Sequence, residues 1–205
     1  MIEFVESNWS TIMELTWEHV RIVSLAVGFS IITGVPFGIY ISQKERLANI
    51  VLSISGIIMT IPSIALFGIM IPIFSLINQG IGFVPAIVAL ILYSQLPIIR
   101  NTYIAIKNVD PHIRDAALGM GMTTWQRLIR VELPIAFPVI IAGVRMAIVL
   151  TIGIAAIAAY IGAGGLGVYI ARGISTSYTE MVQVGALGVS ILAIVADQIV
   201  CFIQR

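Results

Sequence analysis

The chain has 205 residues, of which 59% are hydrophobic and only 10% are charged, and its mean hydropathy is +1.06. Soluble domains carry about 25% charged residues, so this composition excludes an ordinary soluble domain, and the abundance of Ile, Val and Leu excludes a disordered chain. A formal net charge of +1 gives no electrostatic argument for nucleic-acid binding, and the single Cys201 excludes an internal disulfide and a cysteine-based metal cluster. An integral membrane protein remains.

Several long stretches lack Asp, Glu, Lys, Arg and His, and a helix needs about 20 such apolar residues to cross about 30 Å of hydrocarbon. They predict an all-α polytopic membrane protein with five spans, near residues 20–41, 50–72, 83–100, 136–160 and 183–203. Residues 1–18 carry glutamates but no Lys or Arg, so they do not form a signal peptide. We expect them to form a short extracytoplasmic helix at the surface, before the first span.

The basic residues predict the orientation of these five spans. Eight Lys and Arg residues fall on one side, at Lys44, Arg46, Arg100, Lys107, Arg114, Arg127, Arg130 and Arg205. Only Arg21 and Arg172 fall on the other side. Because basic residues are enriched in cytoplasmic loops, the sequence predicts an outside N-terminus and a cytoplasmic C-terminus.

The longest predicted cytoplasmic segment, residues 101–134, has helical signals. Asp110-Pro111 predicts an N-cap followed by proline at the first helical position, and Gly119 and Gly121 predict a stop and a turn. Thr123 and Gln126 match a capping box that opens a second helix, which we expect to end at Leu133-Pro134. The small side chains of Ala116 and Ala117 suit close docking to another protein; the alternative is an ordinary connecting loop.

The spacing of residues in this segment resembles the EAA loop of ABC-transporter permease subunits. The matching residues are Asp115, Ala116, Ala117, Gly121, Val131, Leu133 and Pro134. Asp115 and Val131 replace the Glu and Ile of that pattern and keep their chemistry. Further stretches resemble the osmoprotectant branch of the family, at 60–63, 84–90, 96–103, 119–123 and 161–167.

This resemblance implies an ABC type-1 transmembrane domain over residues 19–200, in a multi-pass protein of the bacterial inner membrane. It implies the permease subunit of a type I importer that translocates glycine betaine, carnitine or choline delivered by an extracytoplasmic binding protein. It also implies a second permease copy or paralogue and a cytoplasmic ATPase subunit. The coupling contact with that ATPase is assigned to Asp115, Ala116, Ala117, Gly121, Leu133 and Pro134.

The chain itself contains no Gly-Lys pair and therefore no phosphate-binding loop. We expect no enzymatic activity and no cofactor or metal here, with ATP and Mg²⁺ bound by the partner ATPase. An amino-acid or methionine-type ABC permease is an alternative. A secondary transporter is a further alternative, although no acidic residue lies between residues 46 and 109.

Four residues are candidates for a gate or the solute pathway. Gly164 and Gly165 belong to a Gly-x-Gly-x-x-Gly segment that follows a span, which favours an outer turn or gate over a nucleotide site. Arg145 should snorkel to the inner interface, pair with an acid, or face the pathway or a subunit interface. Tyr93 either packs in the core or contacts the passing solute.

Overall fold

A computed structural model describes residues 1–204, so the predicted cytoplasmic Arg205 lies outside the described residues. Within that range the regular structure is entirely helical, as the sequence predicts. The helices are α1 (Ile2–Ser7), α2 (Trp9–Ser42), α3 (Glu45–Thr60), α4 (Ser63–Ser75), α5 (Phe83–Lys107), α6 (Pro111–Gly119), α7 (Thr124–Arg127), α8 (Leu133–Ile157), α9 (Gly167–Ser175) and α10 (Thr179–Gln204). A π-helical turn, Leu128–Glu132, precedes α8, and a 3₁₀ turn, Ala158–Ile161, follows it.

Contacts between distant residues define two ends of the helix bundle. At the turn end, which holds residues 162–167, the Gly82 N–H donates a hydrogen bond to the Ile161 carbonyl at 2.7 Å. At the loop end, which holds residues 108–132, the Gln204 amide donates to the Pro138 carbonyl at 3.0 Å. The long helices α2, α5, α8 and α10 run between these two ends, and each is long and apolar enough to cross a membrane.

The second predicted span, 50–72, is not one straight helix. Helices α3 and α4 meet at Ile61–Pro62 with a bend of 101°. A residue before proline avoids the helical conformation, and Ile61 is accordingly extended, at φ −70° and ψ 125°. Ala48 packs with loop-end residues, whereas Leu66 and Phe67 pack with the turn-end residue Ile161. The broken pair therefore crosses the bundle once.

Two other boundaries differ from the sequence analysis. The first span begins at Trp9, because α2 continues without a break through much of the predicted surface segment, of which only α1 is a separate helix. The helix that opens at Thr124 does not end at Leu133-Pro134. The Leu133 N–H bonds to the Leu128 carbonyl five residues back, and this π-helical turn carries the chain into α8. The wider turn accommodates Pro134, which lacks an N–H and would crowd a regular helix.

Helix α5 packs against α2 and α8 through small residues. A Cβ added to Gly38 of α2 would lie 2.7 Å from the Thr102 Cβ of α5. A Cβ added to Gly143 of α8 would lie 2.9 Å from the Pro97 carbonyl oxygen. Close backbone approach of this kind is how membrane helices gain van der Waals contact. Helix α5 is thereby fixed in the centre of the bundle.

The short helix α9 was not predicted, and it packs against α10 at the turn end. A Cβ added to Gly185 of α10 would lie 3.0 Å from the Tyr169 Cβ of α9. The Tyr169 ring also makes an edge contact with Phe4, with centroids 5.8 Å apart, which brings α1 to the same end. Burial raises the pKa of the Tyr169 phenol. The sequence of residues 167–175 is amphipathic at the helical period, a signal that the sequence analysis did not use because it searched for spans of about 20 apolar residues.

Candidate functional site

Both helix starts predicted in the loop are confirmed. The Asp110 Oδ1 accepts a hydrogen bond from the His112 N–H at 2.8 Å, which caps α6. The Thr123 hydroxyl accepts from the Gln126 N–H at 3.3 Å, and the Gln126 side chain accepts from the Thr123 N–H at 2.9 Å. This reciprocal capping box opens α7. Local side chains therefore fix where each loop helix begins.

The turn between α6 and α7 depends on Gly121. Its φ is +77°, and the Met122 N–H bonds to the Ala117 carbonyl at 3.2 Å while the Gly121 N–H bonds to the Leu118 carbonyl at 2.9 Å. This pair of bonds is a Schellman motif, which requires a left-handed residue after the helix. A Cβ at Gly121 would meet no atom within 4 Å. Glycine is thus favoured here by backbone conformation and not by lack of space.

The two alanines of the predicted coupling segment face in opposite directions. Asp115 and Ala116 are exposed, whereas Ala117 is 1% exposed. The expectation that both alanines are available for docking is therefore wrong for Ala117, whose small side chain fits the interior of the loop. Leu133 is half-buried beside the loop-end core, and Pro134 is exposed.

A buried carboxylate that the sequence analysis missed holds the loop together. Glu132 is 1% exposed, and its Oε1 lies 2.8 Å from the Arg127 Nε and 3.4 Å from the Arg114 Nε. The Arg114 guanidinium also donates to the Ile106 carbonyl. These contacts connect α5, α6, α7 and the start of α8. The signal available in the sequence was one acidic residue at the entrance of a 25-residue apolar helix.

The outer surface of the loop exposes large apolar side chains. Leu118 is 49% exposed, Met120 70% and Trp125 67%. All three lie in the segment between α5 and α8, after the helix caps Asp110 and Thr123 and outside the apolar spans. Apolar clusters outside the hydrocarbon layer are typical of protein-binding surfaces. Ala116 is exposed on the same short helix, α6, that carries Leu118.

At the turn end, the predicted gate glycines contact α2 at Glu18 and His19. Gly164 and Gly165 have φ values of +85° and +76°, which an L side chain rarely adopts. The Glu18 carboxylate accepts a hydrogen bond from the Gly165 N–H at 2.9 Å, and the buried His19 lies 3.1 Å, through Nε2, from the Ile152 carbonyl. The segment is therefore a turn joined to α2, and His19 connects α2 to α8 beside it.

The structure pairs Arg145 of α8 with Asp197 of α10. The guanidinium donates two hydrogen bonds to the carboxylate, one of them at 2.5 Å from Nη2 to Oδ2. The two side chains remain 34% and 25% exposed. Arg145 thus pairs within the membrane-spanning bundle and does not snorkel alone towards the inner interface, since a paired charge is less costly there.

Tyr93 lies in the core and is 4% exposed. Its hydroxyl donates to the Ile61 carbonyl at 2.5 Å, an acceptor left free by the break between α3 and α4. Its position therefore stabilises the broken span. Among residues 1–204, no three His, Cys, Asp or Glu side chains are grouped so that they could hold a metal ion.

Comparison with known proteins places these features in a family. Residues 30–205 match the model of the binding-protein-dependent transport system inner membrane component. The chain is 52% identical over 196 residues to the osmoprotectant import permease protein OsmW of Salmonella typhimurium, covering 96% of this chain and 91% of that protein. It is 40% identical over 205 residues to the glycine betaine/carnitine/choline transport system permease protein OpuCB of Bacillus subtilis, covering 100% and 92%.

Solved structures agree with this likeness. The chain superposes on the MetNI methionine ABC transporter, in its inward-facing conformations, with a TM-score of 0.82 and 25% sequence identity. The superposition covers 95% of this chain and 94% of the other. The chain therefore belongs to the family of binding-protein-dependent transport system inner membrane components, and it is a transport subunit, not an ATPase.

Proposed function

We propose that this member of the permease family carries a small osmoprotectant of the quaternary-ammonium class, such as glycine betaine, carnitine or choline, into the cell. The observation that carries the proposal is the 52% identity, over nearly the whole chain, to an osmoprotectant import permease. The competing substrate class is an amino acid such as methionine, which the likeness to the methionine transporter favours. The substrate is delivered by a separate extracytoplasmic binding protein.

The loop end faces the cytoplasm in this proposal, with the N-terminus outside and the C-terminus inside. Lys107, Arg114, Arg127 and Arg130 cluster at the loop end, whereas Arg172 lies in α9 at the turn end. Basic residues are retained on the cytoplasmic side of inner-membrane proteins, so their distribution supports this orientation. The turn around Gly164 and Gly165 then forms part of the outer gate.

The force for transport comes from a cytoplasmic ATPase subunit, which binds ATP and Mg²⁺ and docks on the apolar surface around Ala116. Displacement of α6 reaches the spans through Arg114, because that side chain donates a hydrogen bond to the Ile106 carbonyl of α5 and forms an ion pair with Glu132 beside α8. The charge-assisted hydrogen bond to α5 and the ion pair with the buried carboxylate thus connect α6 to both spans. A second permease copy or a paralogue completes the pathway, and lipid surrounds the assembly.

Substitution of Gly121 tests the coupling role. Gly121→Val should abolish most ATP-driven uptake in proteoliposomes that contain the ATPase and the binding protein, because a β-branched residue resists positive φ. Gly121→Asn should retain more uptake, since Asn tolerates that conformation. Gly119→Ala, which has open space and no positive φ, is the matched control and should behave like the parent. Parental uptake and ATPase stimulation in Gly121→Val would contradict the assignment.

The substrate class is tested on the binding protein and the complex together. Isothermal titration of the cognate binding protein with glycine betaine, carnitine, choline and methionine should give binding of at least one quaternary ammonium compound. The same compound should stimulate ATP hydrolysis by the reconstituted complex. Binding and uptake of methionine alone would replace the proposed substrate with the competing one.

A further inference from the structure

One face of α3 is polar although the helix lies in an apolar part of the sequence. Asn49, Ser53, Gly56 and Thr60 recur at intervals of four, three and four residues, which places them on one side of a helix. Asn49, Ser53 and Thr60 are exposed on this protomer. The neighbouring face carries the exposed isoleucines Ile50, Ile54 and Ile57. Helix α3 thus presents a polar stripe beside an apolar surface.

The polar stripe borders a groove between α3 and α5. The groove has a volume of about 390 Å³ and is lined by Asn49, Leu52, Ser53, Gly56, Leu96 and Arg100. No carboxylate lines it, and within residues 1–204 the exposed Arg100 has no acidic partner. Three grooves of greater volume are lined almost entirely by apolar side chains, and a fourth, of about 440 Å³, includes the uncharged polar side chains of Gln183 and Ser190.

The groove lies in the half of the bundle nearest the loop end. Arg100 is about 26 Å along α5 from its start at the turn end, and Thr60 is about 16 Å further along α3 than Asn49, at 1.5 Å per residue. The stripe therefore runs from the loop end to the bend of the broken span. Polar and charged side chains at such depths face water or protein, because exposure to lipid is costly.

We infer that the inner half of the solute path runs along this polar stripe, and that Arg100 attracts the carboxylate of a departing zwitterionic solute. The inference rests on the proposed function. Glycine betaine and carnitine carry a carboxylate together with the quaternary ammonium group, whereas choline carries none. A guanidinium forms charge-assisted hydrogen bonds with a carboxylate and repels a cation. Arg100 therefore discriminates between these two kinds of substrate.

Cysteine labelling tests the path without any transported substrate. In the assembled complex with Cys201 replaced by Ser, Ser53→Cys and the control Ile54→Cys are exposed to methanethiosulfonates from the cytoplasmic side of inside-out vesicles. One reagent carries a trimethylammonium group and the other a sulfonate. Ser53→Cys should react much faster than Ile54→Cys, which lies on the neighbouring apolar face and outside the groove. Equal rates for the two variants would overturn the path.

The same labelling experiment measures the electrostatic effect of Arg100 on charged molecules in the groove. Adding Arg100→Gln to the Ser53→Cys background should lower the ratio of sulfonate to trimethylammonium labelling rates by about threefold, because one nearby cation is removed. Arg100→Lys keeps the positive charge and should leave that ratio near the parental value. This control shows whether the change in Arg100→Gln comes from the lost charge or from a disturbed fold. An unchanged ratio in Arg100→Gln would overturn the electrostatic role, whether or not the complex imports a quaternary ammonium compound.

Uptake then tests the discrimination between substrates. Arg100→Gln should reduce uptake of glycine betaine by about tenfold, as expected for loss of one charge-assisted contact, and should reduce choline uptake by less. Lys107→Gln, an exposed change in the last turn of the same helix, is the control and should affect neither. Equal losses for both substrates would overturn the assignment of Arg100. A parent complex that imports neither compound refutes the proposed function, while the labelling result stands separately.

Discussion

The seam between α2 and α5 and the seam between α8 and α10 are built on different principles. At the first, Gly34 and Gly38 let the helices approach until added Cβ atoms would collide with α5. At the second, the ion pair Arg145–Asp197 connects the helices, and half-buried α10 side chains such as Leu192 and Ala196 pack against the core. Half of the most apolar stretch of α5 is buried, but only 11% of that of α10. Close packing on glycine defines one position for α5, whereas α10 is held by an ion pair and by partly exposed apolar contacts, so most of its surface remains open to lipid or a partner.

The largest effect is expected at a third contact, which combines burial with charge. Glu132→Ala leaves Arg127 and Arg114 without their shared carboxylate and should lower the free energy of unfolding by about 3 kcal/mol. Uptake should fall as well, because the loop loses its connection to α8. Thermal unfolding of the purified complex in detergent measures the first effect. A parental unfolding temperature would show that this ion pair contributes little.

The close-packed seam should respond to the addition of one methyl group. Gly38→Ala places a Cβ 2.7 Å from the Thr102 Cβ and 3.1 Å from the Ile99 carbonyl oxygen. Overpacking of this kind should lower the free energy of unfolding by about 2 kcal/mol. Gly28→Ala is the matched control, since it is the same substitution in the same helix with no atom within 4 Å. Equal effects of both substitutions would contradict the difference between the two seams.

The α8–α10 seam should respond to charge and not to size. Arg145→Gln leaves Asp197 unpaired and should lower the unfolding temperature less than Gly38→Ala does, because both side chains are partly accessible. Exchanging the residues, with Arg145→Asp and Asp197→Arg together, should recover part of the loss. If the exchanged double variant is no better than Arg145→Gln, the pair does not hold α10 in place.

The smallest effect is expected from a hydroxyl pair within the close-packed seam. The Ser30 and Ser94 hydroxyl oxygens are 2.6 Å apart and buried. Polar contacts between membrane helices contribute about 0.6 kcal/mol on average in double-mutant cycles. A cycle with Ser30→Ala and Ser94→Ala should therefore give a coupling energy of about that size. A much larger value would mean that hydrogen bonding, and not shape, holds this seam.

The sequence predicts those features that depend on neighbouring residues. The caps at Asp110 and Thr123 and the left-handed turn at Gly121 were recognised because each needs only a few consecutive residues. The all-helical membrane fold followed from composition, and the family from the spacing around Ala116. These signals are local and strong, so they survive without knowledge of tertiary contacts.

Contacts between distant residues were not predictable in the same way. Arg145 and Asp197 are 52 positions apart, and nothing in either neighbourhood indicates the other. Pro62 accounts for an interruption between α3 and α4, but the Tyr93 hydroxyl that bonds the Ile61 carbonyl of the break comes from 32 positions away along the chain. The burial of Ala117 likewise depends on which side of α6 meets the rest of the loop, a property that its short sequence does not encode.

The π-helical turn at Leu128–Glu132 has a mechanical consequence. Because it preserves the helix across Pro134, one uninterrupted helical rod of 38 residues runs from Thr124 to Ile161. Its length is about 57 Å, at 1.5 Å per residue. A tilt imposed near Trp125 therefore tilts the same helical segment whose other end lies beside the glycines at 162–165. The two ends of the protein are linked by one continuous helical segment and not by a series of loops.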